Sequence, residues 1–151
     1  MTDTTLTLIV ASGALAVTLV RLSVTAARLD VNSPARLVAE LRLAQFAALV
    51  LALFGGIYIG IPLVQEASPG AGIDVALAIG FLAIASAAIT QEPARALTLV
   101  SLGFAGHAVA ALAHGADRLP SDSVPEWFPA ACAIYDVTVA AVCYLPIVRR
   151  P

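Results

Sequence analysis

Five long apolar runs divide the chain, and short polar segments separate them. The runs predict helices at approximately 5–29, 34–64, 73–91, 96–114 and 127–148. A helix needs about 20 apolar residues to cross the roughly 30 Å hydrocarbon core of a bilayer, and each run has about that length. The pattern predicts an all-α bundle of five transmembrane helices in a single domain over residues 1–151. Four spans is the alternative, with the first or third run lying in the interface.

Turn-forming residues mark the connections between these runs. Pro34 suits the first position of the second helix, because proline needs no amide donor there. Pro93 breaks the third run for the same lack of a donor. The segment GADRLPSDSVPEW is rich in turn formers and predicts the loop before the last run. Trp127 and Tyr144 lie near the two ends of that run, as interfacial aromatic residues do.

Composition supports a membrane protein. The chain has 60% hydrophobic and 12% charged residues, whereas about a quarter of the residues of a soluble globular protein are charged. It contains no CxxC, no glycine-rich phosphate loop and no basic run, which are the usual signatures of redox, nucleotide and nucleic-acid binding. We therefore expect contact with the lipid bilayer and no nucleic-acid partner.

The arginines predict the orientation. If five helices cross alternately, seven of the eight arginines fall on one side of the membrane: Arg21, Arg28, Arg36, Arg42, Arg95, Arg149 and Arg150. Only Arg118 falls on the other side. Because cytoplasmic loops carry the excess of basic residues, we predict an outer N-terminus, a cytoplasmic C-terminus and a location in a bacterial cytoplasmic (inner) membrane.

Two ionisable residues lie deep in the predicted spans. Along their helices, His107 is about 10 Å and Asp136 about 12 Å below the outer surface. The fourth and fifth helices are consecutive and antiparallel, so these side chains are expected to meet. His114, Cys132 and Glu126 lie nearer the outer mouth, and a line of polar groups from His114 through Cys132 would lead inward to the pair.

Three interpretations of this cluster remain open. His107 and Asp136 form a pair that only fixes helix register, or they belong to a proton or ion relay. The third is a metal site made from His107 and His114 with Cys132 or Asp136, whose ligand types suit zinc or copper. Histidines seven residues apart on one helix project the same way, so a haem would need a second subunit. No cofactor is predicted; metal or haem is the alternative.

Other candidate residues have structural interpretations. Arg36, Glu40 and Gln45 lie at the inner end of the second helix, where we expect them to be solvated at the interface; a functional inner gate is the alternative. The glycines expected to permit close helix packing are Gly56, Gly60 and Gly103.

The sequence leaves three classes of function. The first is a non-catalytic subunit or accessory protein of a larger membrane complex, with other membrane subunits or a second copy as partners. The second is a small transporter or channel that uses the outward-facing His and Asp cluster. The third is a membrane enzyme or a metal- or haem-binding redox protein. No nucleophile has an adjacent base in the sequence, so a non-catalytic function is the prediction.

Overall fold

A computed structural model describes residues 3–64, 71–119 and 127–150 of the chain. These ranges contain five α-helices: α1 (Asp3–Arg28), α2 (Pro34–Val64), α3 (Ala71–Ile89), α4 (Pro93–Gly115) and α5 (Trp127–Val148). Each of these described helices is long and apolar enough to span a membrane, including α1 and α3, which the four-span alternative placed in the interface. The prediction of an all-α five-helix membrane bundle is confirmed.

Proline sets the boundary between α3 and α4. Pro93 is the first residue of α4, so this helix begins three residues earlier than the apolar pattern predicted. Glu92, which precedes it, is extended with φ −62° and ψ 153°, because a proline disfavours the helical conformation in the residue before it. The third helix consequently ends at Ile89, also earlier than predicted.

The helices form a closed ring in chain order. Each helix packs against the next, α5 returns to pack against α1, and α2 contacts α4 across the ring. Alternating directions bring the C-termini of α1 and α5 beside the N-terminus of α2. We call this end, which contains Arg36 and Arg150, the arginine end. The opposite end, which contains His114 and Trp127, is the histidine end.

Apolar side chains fill the middle of the ring. Among its fully buried members are Leu19, Leu43, Leu51, Val100, Phe104 and Val139. Gly103 of α4 lies in this layer, where a Cβ atom built on it would be 2.6 Å from Leu51 Cδ2 of α2. The glycine therefore permits the close contact between α2 and α4.

A serine of α1 compensates for a proline inside α5. Pro146 has no N–H, so it cannot donate to the carbonyl of Val142 one turn earlier. The Ser23 hydroxyl donates to that carbonyl at 2.6 Å. Neighbouring serines satisfy freed backbone groups in this way in membrane helices, and the bond joins α1 to α5 in the half of the bundle nearer the arginine end.

Candidate functional site

His107 of α4 and Asp136 of α5 are in direct contact. Nδ1 of His107 lies 2.5 Å from Oδ2 of Asp136, and both side chains are buried. Three aromatic rings surround the imidazole. Phe54 is stacked on it with ring centroids 5.6 Å apart, and Tyr58 and Phe81 meet it nearly edge to face at 5.2 Å and 5.0 Å. The pair thus lies in an aromatic and otherwise apolar environment.

The pair leaves polar atoms unused. Neither Nε2 of His107 nor Oδ1 of Asp136 has a hydrogen-bond partner among the described residues, although both atoms are buried. The same holds for the Tyr135 hydroxyl. Unpaired polar atoms away from water carry a desolvation cost of about 1–3 kcal/mol each, so their retention calls for an explanation.

A cavity of about 540 Å³ adjoins the histidine. It lies between the first half of α1, the C-terminal part of α2 and the first half of α5, with His107 of α4 in its wall. The lining residues are Leu8, Ile9, Ser12, Gly13, Phe54, Ile57, Tyr58, His107, Trp127, Phe128, Ala131, Cys132, Ile134, Tyr135 and Thr138. Leu8 and Ile9 of α1 and Ile134 of α5 are exposed members of this lining. The cavity is therefore partly open, and the exposed part of its lining belongs to two membrane-spanning helices.

His114 pairs with an acid that the sequence analysis did not connect to it. Its Nδ1–H donates to the Ala110 carbonyl at 2.8 Å, and its Nε2 lies 2.8 Å from Oδ1 of Asp74 on α3. The Ala110 carbonyl can only accept, so Nδ1 carries a proton. The contact between Nε2 and Asp74 is then either an ion pair or a neutral hydrogen bond, and the net charge of His114 and Asp74 together is zero in both cases. Counting residues from the outer surface predicted that His107 lies at the depth of Asp136. The same count places Asp74 of α3 and His114 of α4 at similar depth, so the sequence contained a signal for this pair.

The remaining predicted residues of this end separate into different surroundings. Cys132 lines the cavity and is half-buried. Glu126 lies outside the described residues. His107 and His114 pair with different carboxylates, and within the described ranges no three His, Cys, Asp or Glu side chains cluster as a metal site would require. The metal site therefore stays an alternative interpretation, which these described contacts do not favour.

The arginine end differs from the solvated arrangement that we expected. Arg36 and Glu40 are buried, with Nε of Arg36 2.9 Å from Oε1 of Glu40. Arg150 pairs with the other carboxylate oxygen of Glu40. Gln45, in contrast, is exposed. The expectation of a solvated Arg36 and Glu40 is wrong, because packing of three helix ends encloses both residues.

Arg36 also reaches the ends of two other helices. Its guanidinium donates to the carbonyl of Leu29 at 3.1 Å and to that of Pro146 at 2.7 Å. These carbonyls lie at the C-termini of α1 and α5, where no further turn of helix supplies a donor and the helix dipole favours a cation. The cluster of Arg36, Glu40 and Arg150 therefore joins α1, α2 and α5.

The three predicted packing glycines have different surroundings. A Cβ atom on Gly56 or Gly60 would meet no described atom within 4 Å, in contrast to Gly103. Within one copy of the chain, the face of α2 that carries Gly56 and Gly60 thus packs against nothing that the structure describes.

Comparison with protein families, with curated proteins and with solved structures gives no match for this chain. The residues of the site are therefore the basis for a functional proposal.

Proposed function

We propose that this protein binds a lipid-soluble molecule in the cavity beside His107, as a small non-catalytic membrane protein. The observation that carries the proposal is a partly open apolar cavity whose lining contains exposed residues of two membrane-spanning helices and the buried imidazole of His107. Small-molecule sites are typically about 300–1,000 Å³, mostly apolar, with a few convergent polar groups. The cavity of about 540 Å³ has this size and composition.

The exposed part of the lining favours a ligand that arrives through the bilayer. Leu8 and Ile134 in this lining are 42% and 71% exposed, and both belong to membrane-spanning helices. A polar ligand from the aqueous phase would have to lose its hydration to enter such a wall. A membrane-dissolved molecule enters without that cost.

The middle of the bundle favours binding over passage across the membrane. Between the histidine end and the arginine end, the described core is packed with buried apolar residues, including Leu43, Leu51 and Phe104. An ion or proton relay needs polar groups or water along its path. A small transporter or channel therefore has less support here than a one-sided binding site.

Filling the cavity by substitution tests the proposal. Gly13 lines the cavity, and a Cβ atom there would meet no described atom within 4 Å. We expect a phenylalanine at this position to occupy part of the cavity without disturbing the helices. Gly80 on α3 has equally open surroundings and is not in the cavity wall. Gly80→Phe is therefore the matched control for Gly13→Phe.

The readout is the fluorescence of Trp127, which lines the cavity and is the only tryptophan in the chain. A bromoalkane, which quenches tryptophan on contact, is titrated into each purified variant in detergent. We expect a saturable component of quenching in the unmodified protein and in Gly80→Phe, and its loss in Gly13→Phe. Equal, non-saturable quenching in all three proteins would contradict the proposal, because it would reflect only partition into the micelle.

Membership of a larger complex stays a prediction and is compatible with ligand binding. The open face around Gly56 and Gly60 suits a partner helix or a second copy, since small residues allow close approach in lipid. Purification from the native membrane in mild detergent, followed by mass spectrometry, tests it. Companion subunits in fixed ratio are the expected result, and a protein without companions at its monomeric mass would contradict it.

A further inference from the structure

The arginine end carries more positive charge than its own acids balance. Its described arginines are Arg21, Arg28, Arg36, Arg42, Arg95, Arg149 and Arg150, and its described acids are Asp30, Glu40 and Glu92. Seven arginines and three acids leave a net side-chain charge of +4 at this end. An anion from outside the chain would therefore be attracted to it.

Four of these arginines have no ion-pair partner in the part of the chain that the structure describes. Glu92 pairs with Arg95. Glu40 pairs with both Arg36 and Arg150. The third acid of this end accepts a backbone N–H through its Oδ1. The unpaired arginines are Arg21, Arg28, Arg42 and Arg149.

Arg21 and Arg42 lie within the spanning helices rather than at their ends. Arg21 is seven residues before the end of α1, and Arg42 is eight residues after the start of α2. At a rise of about 1.5 Å per residue, they lie about 10 Å and 12 Å from these helix ends. Both side chains are exposed. An exposed charge at this depth is costly unless the side chain extends to water or to an anion at the interface.

Arg28 and Arg149 are exposed beside the buried cluster of this end. The Arg36 guanidinium donates to carbonyl groups at the C-termini of both α1 and α5, so these two helix ends lie within reach of one side chain. Arg28 is the last residue of α1, and Arg149 directly follows α5. Arg150, next in the chain, is 33% exposed. The buried cluster has two arginines and one carboxylate, so it adds positive charge to this group of exposed arginines.

We propose that the arginine end binds the headgroups of anionic phospholipids. The N–H groups of a guanidinium can donate to two phosphate oxygens at once. Basic residues beside membrane helices attract anionic lipids, with a gain in affinity of about fivefold for each arginine. A zwitterionic headgroup also has a phosphate, but its ammonium group cancels the negative charge and leaves the charge of this end unbalanced.

The depth of Arg21 and Arg42 favours a lipid over an anion dissolved in water. Both residues belong to membrane-spanning helices. A free phosphate would have to lose its hydration to stay beside them, whereas the acyl chains of a lipid hold its phosphate at the interface. This site is separate from the cavity at the histidine end and requires a different ligand.

The test compares phosphatidylglycerol, which is anionic, with phosphatidylethanolamine of the same acyl chains, which is zwitterionic. The purified protein in detergent is titrated with an equimolar mixture, and native mass spectrometry counts each lipid that the protein retains. Arg21→Gln and Arg42→Gln each remove one unpaired arginine of this end. Arg118→Gln is the matched control, because it removes one exposed arginine at the opposite end. None of these substitutions breaks an ion pair of the described residues, and the far-ultraviolet helical signal checks that each variant is folded.

We expect the unmodified protein to bind phosphatidylglycerol about tenfold or more tightly than phosphatidylethanolamine. Arg21→Gln and Arg42→Gln should each reduce this preference about fivefold. Arg118→Gln should leave it unchanged. Equal binding of the two lipids by the unmodified protein would overturn the proposal. An equal loss in all three variants would also overturn it, because the preference would then follow the net charge of the whole chain.

Two competition measurements locate the bound lipid. Inorganic phosphate at the concentration of the phosphatidylglycerol should not displace it, and displacement would overturn the assignment to a lipid. Gly13→Phe, which fills part of the cavity, should keep the full preference for phosphatidylglycerol. Loss of the preference in Gly13→Phe would place the anionic lipid in the cavity instead of at the arginine end.

Discussion

The bond between Ser23 and the Val142 carbonyl makes a quantitative prediction about how α5 tolerates its proline. Ser23→Ala removes the donor to a partly buried carbonyl, and Pro146 has no N–H to replace it. Stranding a buried acceptor costs about 1–3 kcal/mol, whereas hydrogen bonds between membrane helices average about 0.6 kcal/mol. The bond is partly buried and Pro146 cannot supply the missing donor, so we expect a loss of about 1–2 kcal/mol, between these two magnitudes.

A double-mutant cycle separates this explanation from simple loss of packing. Pro146→Ala restores an N–H that can donate to the Val142 carbonyl within α5. In that background, Ser23→Ala should cost much less, with a coupling energy of about 1 kcal/mol. Thr18→Ala is the matched control on α1, since the Thr18 hydroxyl bonds back to Ala14 of its own helix at 2.9 Å and should contribute little.

The assay is reversible unfolding in mixed detergent micelles, followed by the far-ultraviolet helical signal. The free energies of unfolding of the four proteins of the cycle are compared with those of the Thr18→Ala control. An equal cost of Ser23→Ala in the presence and absence of Pro146 would refute the reasoning, because the serine would then act independently of the freed carbonyl.

Three further predictions concern packing, charge and orientation. Gly103→Ala should destabilise the bundle by about 1–3 kcal/mol, because the new methyl group would lie 2.6 Å from a leucine of α2. Gly106→Ala, whose new methyl group would have its nearest contact at 3.7 Å, should be neutral or slightly stabilising. Equal unfolding midpoints of the two variants would contradict this. Glu40→Gln should lower the free energy of unfolding by about 3–5 kcal/mol, because it leaves buried arginine charge uncompensated. Glu92→Gln, in an exposed pair, should lower it by less than about 1 kcal/mol. Similar losses of thermal stability in the two variants would show that the arginine end is solvated. A reporter that works only in the cytoplasm should be active when it is fused to the C-terminus, and a reporter that works only in the periplasm should be inactive there. The opposite pattern of activities would contradict the predicted orientation.

The apolar pattern predicted the fold because membrane spans are local features of a sequence. A run of about 20 apolar residues has few alternatives to a spanning helix, and proline and turn residues mark its ends. The same one-dimensional reasoning brought His107 close to Asp136. Depth along a helix can be counted from the sequence, and consecutive helices are usually neighbours.

The sequence pattern could not predict contacts that depend on rotation about a helix axis or on the packing of non-consecutive helices. Arg36 reaches Pro146, and Ser23 reaches Val142, through the packing of α5 against α1 and α2. Nothing in the spacing of these residues indicates that the ring closes. The cavity beside His107 likewise depends on non-consecutive helices, because α1 and α2 meet α4 and α5 in its lining.

The most direct test of the proposed binding site is to identify the compounds that co-purify with the protein from its own membrane. The unmodified protein, Gly13→Phe and Gly80→Phe are purified in parallel in mild detergent. The organic extract of each is analysed by mass spectrometry, and the amount of each compound is expressed per mole of protein. A lipid-soluble compound should be present in near-stoichiometric amount in the unmodified protein and in Gly80→Phe and depleted in Gly13→Phe. The same bulk lipid composition in all three extracts, with no compound lost on filling the cavity, would contradict the account.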